Sequence, residues 1–350
     1  MDSVVVYNNE LLEKLVRPRQ SELKIGQCVV ISRGDWKEEL KNSSCRFVLL
    51  GIPEDIGVRA NFGRAGAATA VRPAFESFLN QQSNSFLSGH QIFLLGELNV
   101  QHLMKQAEDL NPREEKDLME LRKLTDEVDK LLIPVIETIL RLKKIPVVIG
   151  GGHNNAFGNI VGAAKALGRS VNTINCDPHL DFRALEGRHS GNGFSYAFAD
   201  KALSNYAVLG MHEQYNNQNA IEFFRNNSKH LYFRSYESIF ITCENDFSKA
   251  LGDCIGFVRS APCGVELDLD AITNVPSSAK TSCGISPVQA RQYVYQCGYE
   301  LQSAWLHIAE GAPVLSHIKA DNKTGKLIAY LLTDFMKAVL KREEDFPMYS

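Results

Sequence analysis

The chain predicts a three-layer α/β/α domain built on a mostly parallel sheet, and two features carry that prediction. Short runs rich in Val, Ile and Leu recur along it with helix-patterned stretches between them. Several of these runs are apolar on both faces, as strands covered by helices above and below must be. In order they are RFVLLGI at 46–52, QIFLLGE at 91–97, IPVVIGGG at 145–152, SVNTINCD at 170–177, YAVLGM at 206–211, HLYFRS at 230–235 and PCGVELDLD at 262–270. Between the second and third runs, Asn111 to Leu142 carries apolar residues at three- and four-residue intervals, an amphipathic helix expected to break near Pro134. A further packing helix, KLIAYLLTDFMKAVLKREEDF, follows toward the C-terminus.

With 350 residues, 44% of them hydrophobic, the chain is long enough for one large core. No internal repeat, low-complexity tract or linker divides it. The expectation is therefore a single domain over 1–350, with its core at about 46–340 and an N-terminal extension over 1–45. A formal charge of -3, with both signs mixed along the chain, leaves no footprint for nucleic acid or an anionic membrane and points to a small-molecule partner. The first residues, MDSVVVYNNELLEKLVRPRQ, are polar and acidic where a signal peptide needs a basic start and an apolar run. No later stretch approaches the ~20 apolar residues of a membrane span, so the expected location is cytoplasmic. The 8 cysteines have no CxxC pair, and several sit in strand-like runs, which predicts reduced, mostly buried thiols.

Three strand-end motifs carry the chemistry. In NCDPHLD, at 175–181, an apolar strand ends in Asp177, His179 and Asp181. Alternate residues of an extended chain point the same way, so the three side chains can converge. In VELDLDA a second strand ends in Asp268 and Asp270, with no Lys or Arg beside them in sequence. Two such carboxylates repel each other unless a cation or a proton intervenes. In VVIGGGHNNAFG a strand runs into three glycines and then His153, at the start of the following helix. All three motifs lie where open α/β sheets bind their ligands, at strand C-termini.

Taken singly, each piece has a plain structural role. A strand-end Asp is as often a helix cap, and a lone His is more often a hydrogen-bonded structural residue. The glycine run lacks the spacing of a nucleotide loop. Together, four carboxylates and two imidazoles exceed what one ion takes from protein, and two divalent ions are implied. Carboxylate-rich ligation without thiolate favours Mn²⁺ or a similar hard ion over a structural zinc.

These residues resemble the arginase/agmatinase/formimidoylglutamase (ureohydrolase) superfamily, whose G-G-[DG]-H, D-x-H-x-D and D-x-D motifs occur here in order as GGGH at 150–153, DPHLD at 177–181 and DLD at 268–270. The resemblance spans roughly residues 46 to 315. It implies an arginase-like fold and a pair of Mn²⁺ ions, one held by His153, Asp177, Asp181 and Asp268, the other by His179, Asp177, Asp268 and Asp270. It also implies a bridging hydroxide held by Asp181, and a loop histidine, His189 in GRHSG, that passes a proton to the leaving amine. His189 has a plainer reading as the residue that orders its glycine-rich loop. Ser190 lacks a nucleophile-elbow context and is assigned no nucleophilic role. Homo-oligomers are common in the family, and no feature of this sequence chooses among them.

For the substrate, Gly152 and Arg183 match formimidoylglutamases, where guanidinium-cleaving arginases usually have Asp and Asn. The tract GVRANFGRAGA at 57–67 is similar to one common in formimidoylglutamases. A glutamate derivative carries two carboxylates that Arg183 and Arg64 could clamp. The implied reaction is N-formimidoyl-L-glutamate plus water giving L-glutamate plus formamide; the alternatives are a ureohydrolase releasing urea from a guanidino substrate, and a catalytically silent homologue. Four features depart from the family pattern: Glu266 where a small or apolar residue is usual, AITNVPSS after the D-x-D motif, Gln289 where arginases are expected to carry a substrate-pairing glutamate, and Tyr215 where arginases use an aspartate.

Overall fold

The computed structural model describes residues 3–316 and 322–346. Among them, ten strands form one sheet: β1 (Val4–Val6), β2 (Val30–Ile31), β3 (Phe47–Gly51), β4 (Ile92–Leu98), β5 (Ile145–Ile149), β6 (Val171–Cys176), β7 (Leu203–Met211), β8 (Leu231–Ser235), β9 (Cys263–Asp268) and β10 (Ser303–Ala309). The order is β1-β4-β3-β5-β10-β9-β6-β7-β8, with β2 also pairing β4, and every pair except β1–β4 is parallel. Strands β3, β5 and β9 are buried along their whole length, which explains their unbroken apolar runs.

Helices cover both faces. On one, Leu49, Leu94, Val147, Val265 and Leu306 share a core with Phe335 and Tyr293 of the helices Lys323–Asp345 and Pro287–Glu300. On the other, Val48, Leu95 and Val148 pack with the helix Glu115–Arg141, and Trp305 and Tyr206 with Asn155–Leu167. This is the expected three-layer arrangement.

Two details differ from expectation. The segment before residue 46 joins the sheet: β1 pairs antiparallel with β4 at Val4↔Leu98 and β2 pairs at Val30↔Phe93. Strands of three and two residues are too short to announce themselves by periodicity, yet they satisfy backbone groups that β4 would otherwise present as an open edge. The helix Glu115–Arg141 also runs through Pro134 without a break. Leu132, Val135, Ile136 and Ile139 are buried on either side of the proline. Of these, Leu132 and Ile136 face Gly158 and Gly162 of the neighbouring helix, where a Cβ would lie 2.7 Å from Leu132 Cδ2 and 2.8 Å from the Ile133 carbonyl oxygen. This close helix–helix contact offsets the one backbone bond the proline cannot make.

All eight cysteines are free thiols, and all but Cys243 and Cys283 are buried. Among the described residues, no helix is long and apolar enough to cross a membrane.

Candidate metal centre

The central strands β5, β10, β9 and β6 are neighbours in the sheet, and their C-terminal ends meet above its middle. After β5, Gly150 and Gly151 take φ values of +85° and +72°, turning the chain so that His153 arrives over β9 and β10. Buried Glu54, which follows β3, fixes this turn: it accepts the Gly152 N–H at 3.0 Å and the Asn155 side chain at 2.6 Å. After β6 the chain carries Asp177, His179 and Asp181. It does not continue as an extended strand, as simple alternation predicts. Asp181 has φ +46°, and the loop is held by a bond from the Leu180 N–H to Asn216 (2.8 Å) and one from the Tyr206 hydroxyl to the Leu180 carbonyl (3.1 Å). Asp268 ends β9 and caps a single 3₁₀ turn, Leu269–Ala271, that carries Asp270.

The structure brings all six residues together. His153 Nδ1 lies 3.0 Å from Asp177, 3.0 Å from Asp181 and 3.4 Å from Asp268. His179 Nδ1 lies 3.3 Å from the other Asp177 oxygen. Ligand atoms of His153, Asp177, Asp181 and Asp268 form one set within 4.8 Å of one another, and those of His179, Asp268 and Asp270 form a second. Asp268 is common to both sets, and Asp177 touches both histidines.

The residues fit a pair of cations. The four aspartates are largely buried, and among the described residues no Lys or Arg is paired with any of them. Burial, then the charges of Asp270 and Asp177, push the Asp268 carboxyl well above its usual range. Against the cost of burial, contact with Asp177 and the charges of Asp181 and Asp270 push His179 up to about 10. Without ions, the cluster therefore relies on protons on its imidazoles, which hard cations would displace. Both ring nitrogens of His153 are buried without a well-directed hydrogen bond, although two carboxylate oxygens lie 3.0 Å from Nδ1. A cation shared among these oxygens suits that geometry better than a proton.

A cavity of about 430 Å³ opens onto the cluster, lined by Asn61, His179, Asp181, Arg183, Tyr215, Asp268, Asp270 and Glu310 among others. A larger hollow of about 880 Å³ adjoins it through Phe182, Arg183, Asn217 and Ala220; it is walled by Phe198 and Phe223, carries none of the cluster's carboxylates, and lies outside the chemistry. Arg183 stands half-exposed at the cavity wall and donates to Asn61 Oδ1 at 2.8 Å. Arg64 does not line the cavity. Its guanidinium donates to the Ser278 and Ser277 carbonyls at 2.9 and 3.1 Å, tying the 57–67 tract to the loop after Asp270.

His189 is also turned away from the cavity. Its Nδ1 accepts the Gly191 N–H at 3.1 Å, which leaves Nε2 protonated and 3.2 Å from Glu186. Burial pulls its pKa down from 6.5 to about 4. The neutral ring is the form that fits the fold, so its contribution to stability is present above pH 6.5 and lost as pH falls toward 4. His189→Gln is expected to flatten the acid limb of the stability–pH curve, by up to about 1.4 kcal/mol per pH unit across that window. Thermal melts at stepped pH would check this, and an unchanged acid limb would refute it.

Of the departing positions, Tyr215 does line the cavity and stacks on His179 with ring centroids 5.8 Å apart. Gln289 does not: it completes a capping box with Ser286 at the start of the helix Pro287–Glu300. A carboxylate that sequence reasoning missed, Glu310 just after the end of β10, does line the cavity. Glu310 accepts the His153 N–H at 2.9 Å, and its Oε2 is buried with no partner. Burial, then the charges of Asp268 and Asp270, push its carboxyl well up. The signal was a lone acid ending an apolar run, AWLHIAE, with no second acid beside it to draw notice.

The sequence profile described as the Arginase family matches residues 45–337. A formimidoylglutamase of Streptococcus pyogenes serotype M3 is 28% identical over 253 residues, covering 69% of this chain and 70% of its own. The crystal structure of Trypanosoma cruzi formiminoglutamase with Mn²⁺ superposes with a TM-score of 0.70 at 18% identity, covering 92% of this chain and 100% of that one. Formimidoylglutamase from Bacillus subtilis gives 0.73 at 15% identity, over 92% and 93%. Three ordered motifs, a doubly shared ligand cluster at the centre of a parallel sheet, and a profile match across most of the chain agree: this protein belongs to the arginase family, a hydrolase of C–N bonds.

Proposed function

We propose that the protein hydrolyses N-formimidoyl-L-glutamate to L-glutamate and formamide, with two Mn²⁺ ions held by His153, Asp177, His179, Asp181, Asp268 and Asp270. The observation that carries this reading is the pairing of that cluster with Arg183 and Asn61 on the wall of the same cavity. Curated relatives named formimidoylglutamase, and a structural neighbour crystallised with Mn²⁺, support it. Two divalent ions bound close together lower the pKa of a shared water and make it a nucleophile at neutral pH.

The chain's own residues do the rest. Arg183, braced by Asn61, binds a substrate carboxylate through charge-assisted hydrogen bonds. Glu310 offers its free Oε2 to an N–H of the formimidoyl group, orienting the carbon to be attacked. Asp181 accepts a hydrogen bond from the attacking water. Tyr215, stacked over His179, narrows the mouth of the site. His189 reaches the leaving nitrogen with a proton only after its loop releases Glu186. The substrate is a small glutamate derivative, and the enzyme works in the cytoplasm.

The test is turnover by Mn²⁺-loaded protein with arginine, agmatine and guanidinobutyrate run in parallel. Formamide from the formimidoyl substrate is the expected product; urea from a guanidino compound alone would overturn the choice of substrate. That second reading has one observation in its favour, since an unpaired Glu310 oxygen also suits a guanidinium. Arg183→Ala is expected to raise KM by about 10- to 100-fold, the loss of about 1.5–3 kcal/mol from hydrogen bonds to a charged group. Steady-state kinetics should show kcat little changed.

A further inference from the structure

On the far side of His153 from the cluster lies a second set of buried groups that the proposed mechanism leaves unused. In the parallel pairing of β9 and β10, Glu266 stands directly opposite His307, and Gly264 opposite Trp305. All four residues are buried, on the face covered by the helix Asn155–Leu167. Trp305 Nε1 donates to one Glu266 oxygen at 2.6 Å, and His307 Nδ1 lies 2.6 Å from the other. His307 Nε2 reaches the Gly150 carbonyl at 3.2 Å, so the set also grips the turn that carries His153. The missing Cβ at Gly264 makes this possible, because a methyl there would fall 1.9 Å from the Trp305 ring.

His153 is wedged between the two groups. Its Nδ1 faces Asp177, Asp181 and Asp268, while its Nε2 lies 3.4 Å from Glu266 Oε2, close but not aligned as a well-directed hydrogen bond. A neutral imidazole carries one N–H and one lone pair, and whichever nitrogen keeps the hydrogen cannot ligate an ion. The ligand atoms of His153, Glu266 and His307 are mutually close enough to suggest an ion of their own. The 2.6 Å between His307 and Glu266 is a hydrogen-bond distance, however, and leaves no room for an ion between them.

We propose that Glu266, clamped by Trp305 and His307, is a positioning residue for His153: it holds the hydrogen on Nε2 and so keeps the Nδ1 lone pair turned toward Asp177, Asp181 and Asp268. The inference rests on the two-ion reading above. A carboxylate behind a ligating imidazole fixes its tautomer and strengthens it as a donor. Glu266 is thus expected to set the affinity of the ion that His153 holds and to leave the ion held by His179, Asp268 and Asp270 untouched.

The test is calorimetric titration of metal-free protein with Mn²⁺, comparing the unmodified chain with Glu266→Gln and with the milder Trp305→Phe, which keeps an aromatic ring and removes one donor from Glu266. The expected result is two binding steps in each protein, with one step weakened about 10- to 100-fold in Glu266→Gln, the same step weakened less in Trp305→Phe, and the other step unchanged. A role confined to folding would lower both steps together with the melting temperature of the metal-free protein, and that result overturns the proposal. Two unaltered steps in both variants overturn it as well. Fewer than two ions on the unmodified chain would instead bring down the two-ion reading, so the two failures are distinguishable.

Discussion

Asp177→Asn is expected to lower kcat/KM by at least about 10²–10³-fold, the scale of losing one charged stabilising group from a buried site. Asp177 is the carboxylate that touches both histidines, one through each oxygen, so the change weakens the holds on both ions. Inductively coupled plasma analysis of dialysed protein should show clearly less Mn²⁺ per chain than the parent retains. Asp268→Asn, which removes the residue common to both ligand sets, should cost activity on a similar scale, but its effect on the metal-free protein has the opposite character. Burial, then Asp270 and Asp177, disfavour the Asp268 charge and raise its pKa above the unfolded value. Its favourable contribution is therefore complete only in acid, below the unfolded pKa, and is lost as pH rises through the folded one. At neutral pH, metal-free Asp268→Asn should melt at a higher temperature than the metal-free parent. Saturating Mn²⁺ should reverse that ranking, since an ion at 100 times its Kd adds about 2.7 kcal/mol to the parent. Paired melts with chelator and with Mn²⁺ test both halves; a metal-free variant less stable than the parent would contradict the account of crowded charge.

Gly264→Ala is expected to cost about 3 kcal/mol or more, at the upper end for overpacking, because the obstacle is a large, fully buried ring rather than a flexible chain end. The added methyl would meet three atoms of Trp305 at 1.9 to 2.4 Å. Either the ring moves and its hydrogen bond to Glu266 breaks, or β9 and β10 part at the centre of the sheet. Urea unfolding should show a lower midpoint with an unchanged slope. A midpoint within experimental error of the parent would mean that the strands yield more easily than their packing implies.

The strand-end motifs are legible in the sequence because each ligand except His153 has another within two residues, and a pair of acids, or an acid and a histidine, closing an apolar run has little to do there except hold a cation. The parallel sheet is legible for a related reason, since strands buried on both faces lose their alternation. Glu310 is not, because it ends its strand alone; β10 itself is hidden because His307 interrupts the apolar run that would have marked it. Glu266 stands out in the sequence only as a departure. Its partners, Trp305 and His307, are about 40 residues away in sequence, and only the β9–β10 register brings them to it. Arg64 illustrates the reverse case: an arginine in a motif-like tract suggests a ligand contact, whereas its guanidinium bonds two loop carbonyls and does not line the cavity. Pro134 shows tertiary contact overriding a local rule, since the glycine-faced neighbour holds the helix on both sides of it.

The proposed ligands come from the ends of β5, β6 and β9, with Glu310 following β10, and these four strands are adjacent in space although they span residues 145 to 309 of the chain. A contiguous fragment must reach from His153 to Glu310 to hold the full set. Closing such long loops is slow and must come before the ions find a home. During synthesis, the segment bearing His153, Asp177, His179 and Asp181 emerges before β9 and β10, so loading of the proposed ions is expected only once β9 stands between β6 and β10. Manganese uptake followed in real time during refolding should trail the recovery of secondary structure.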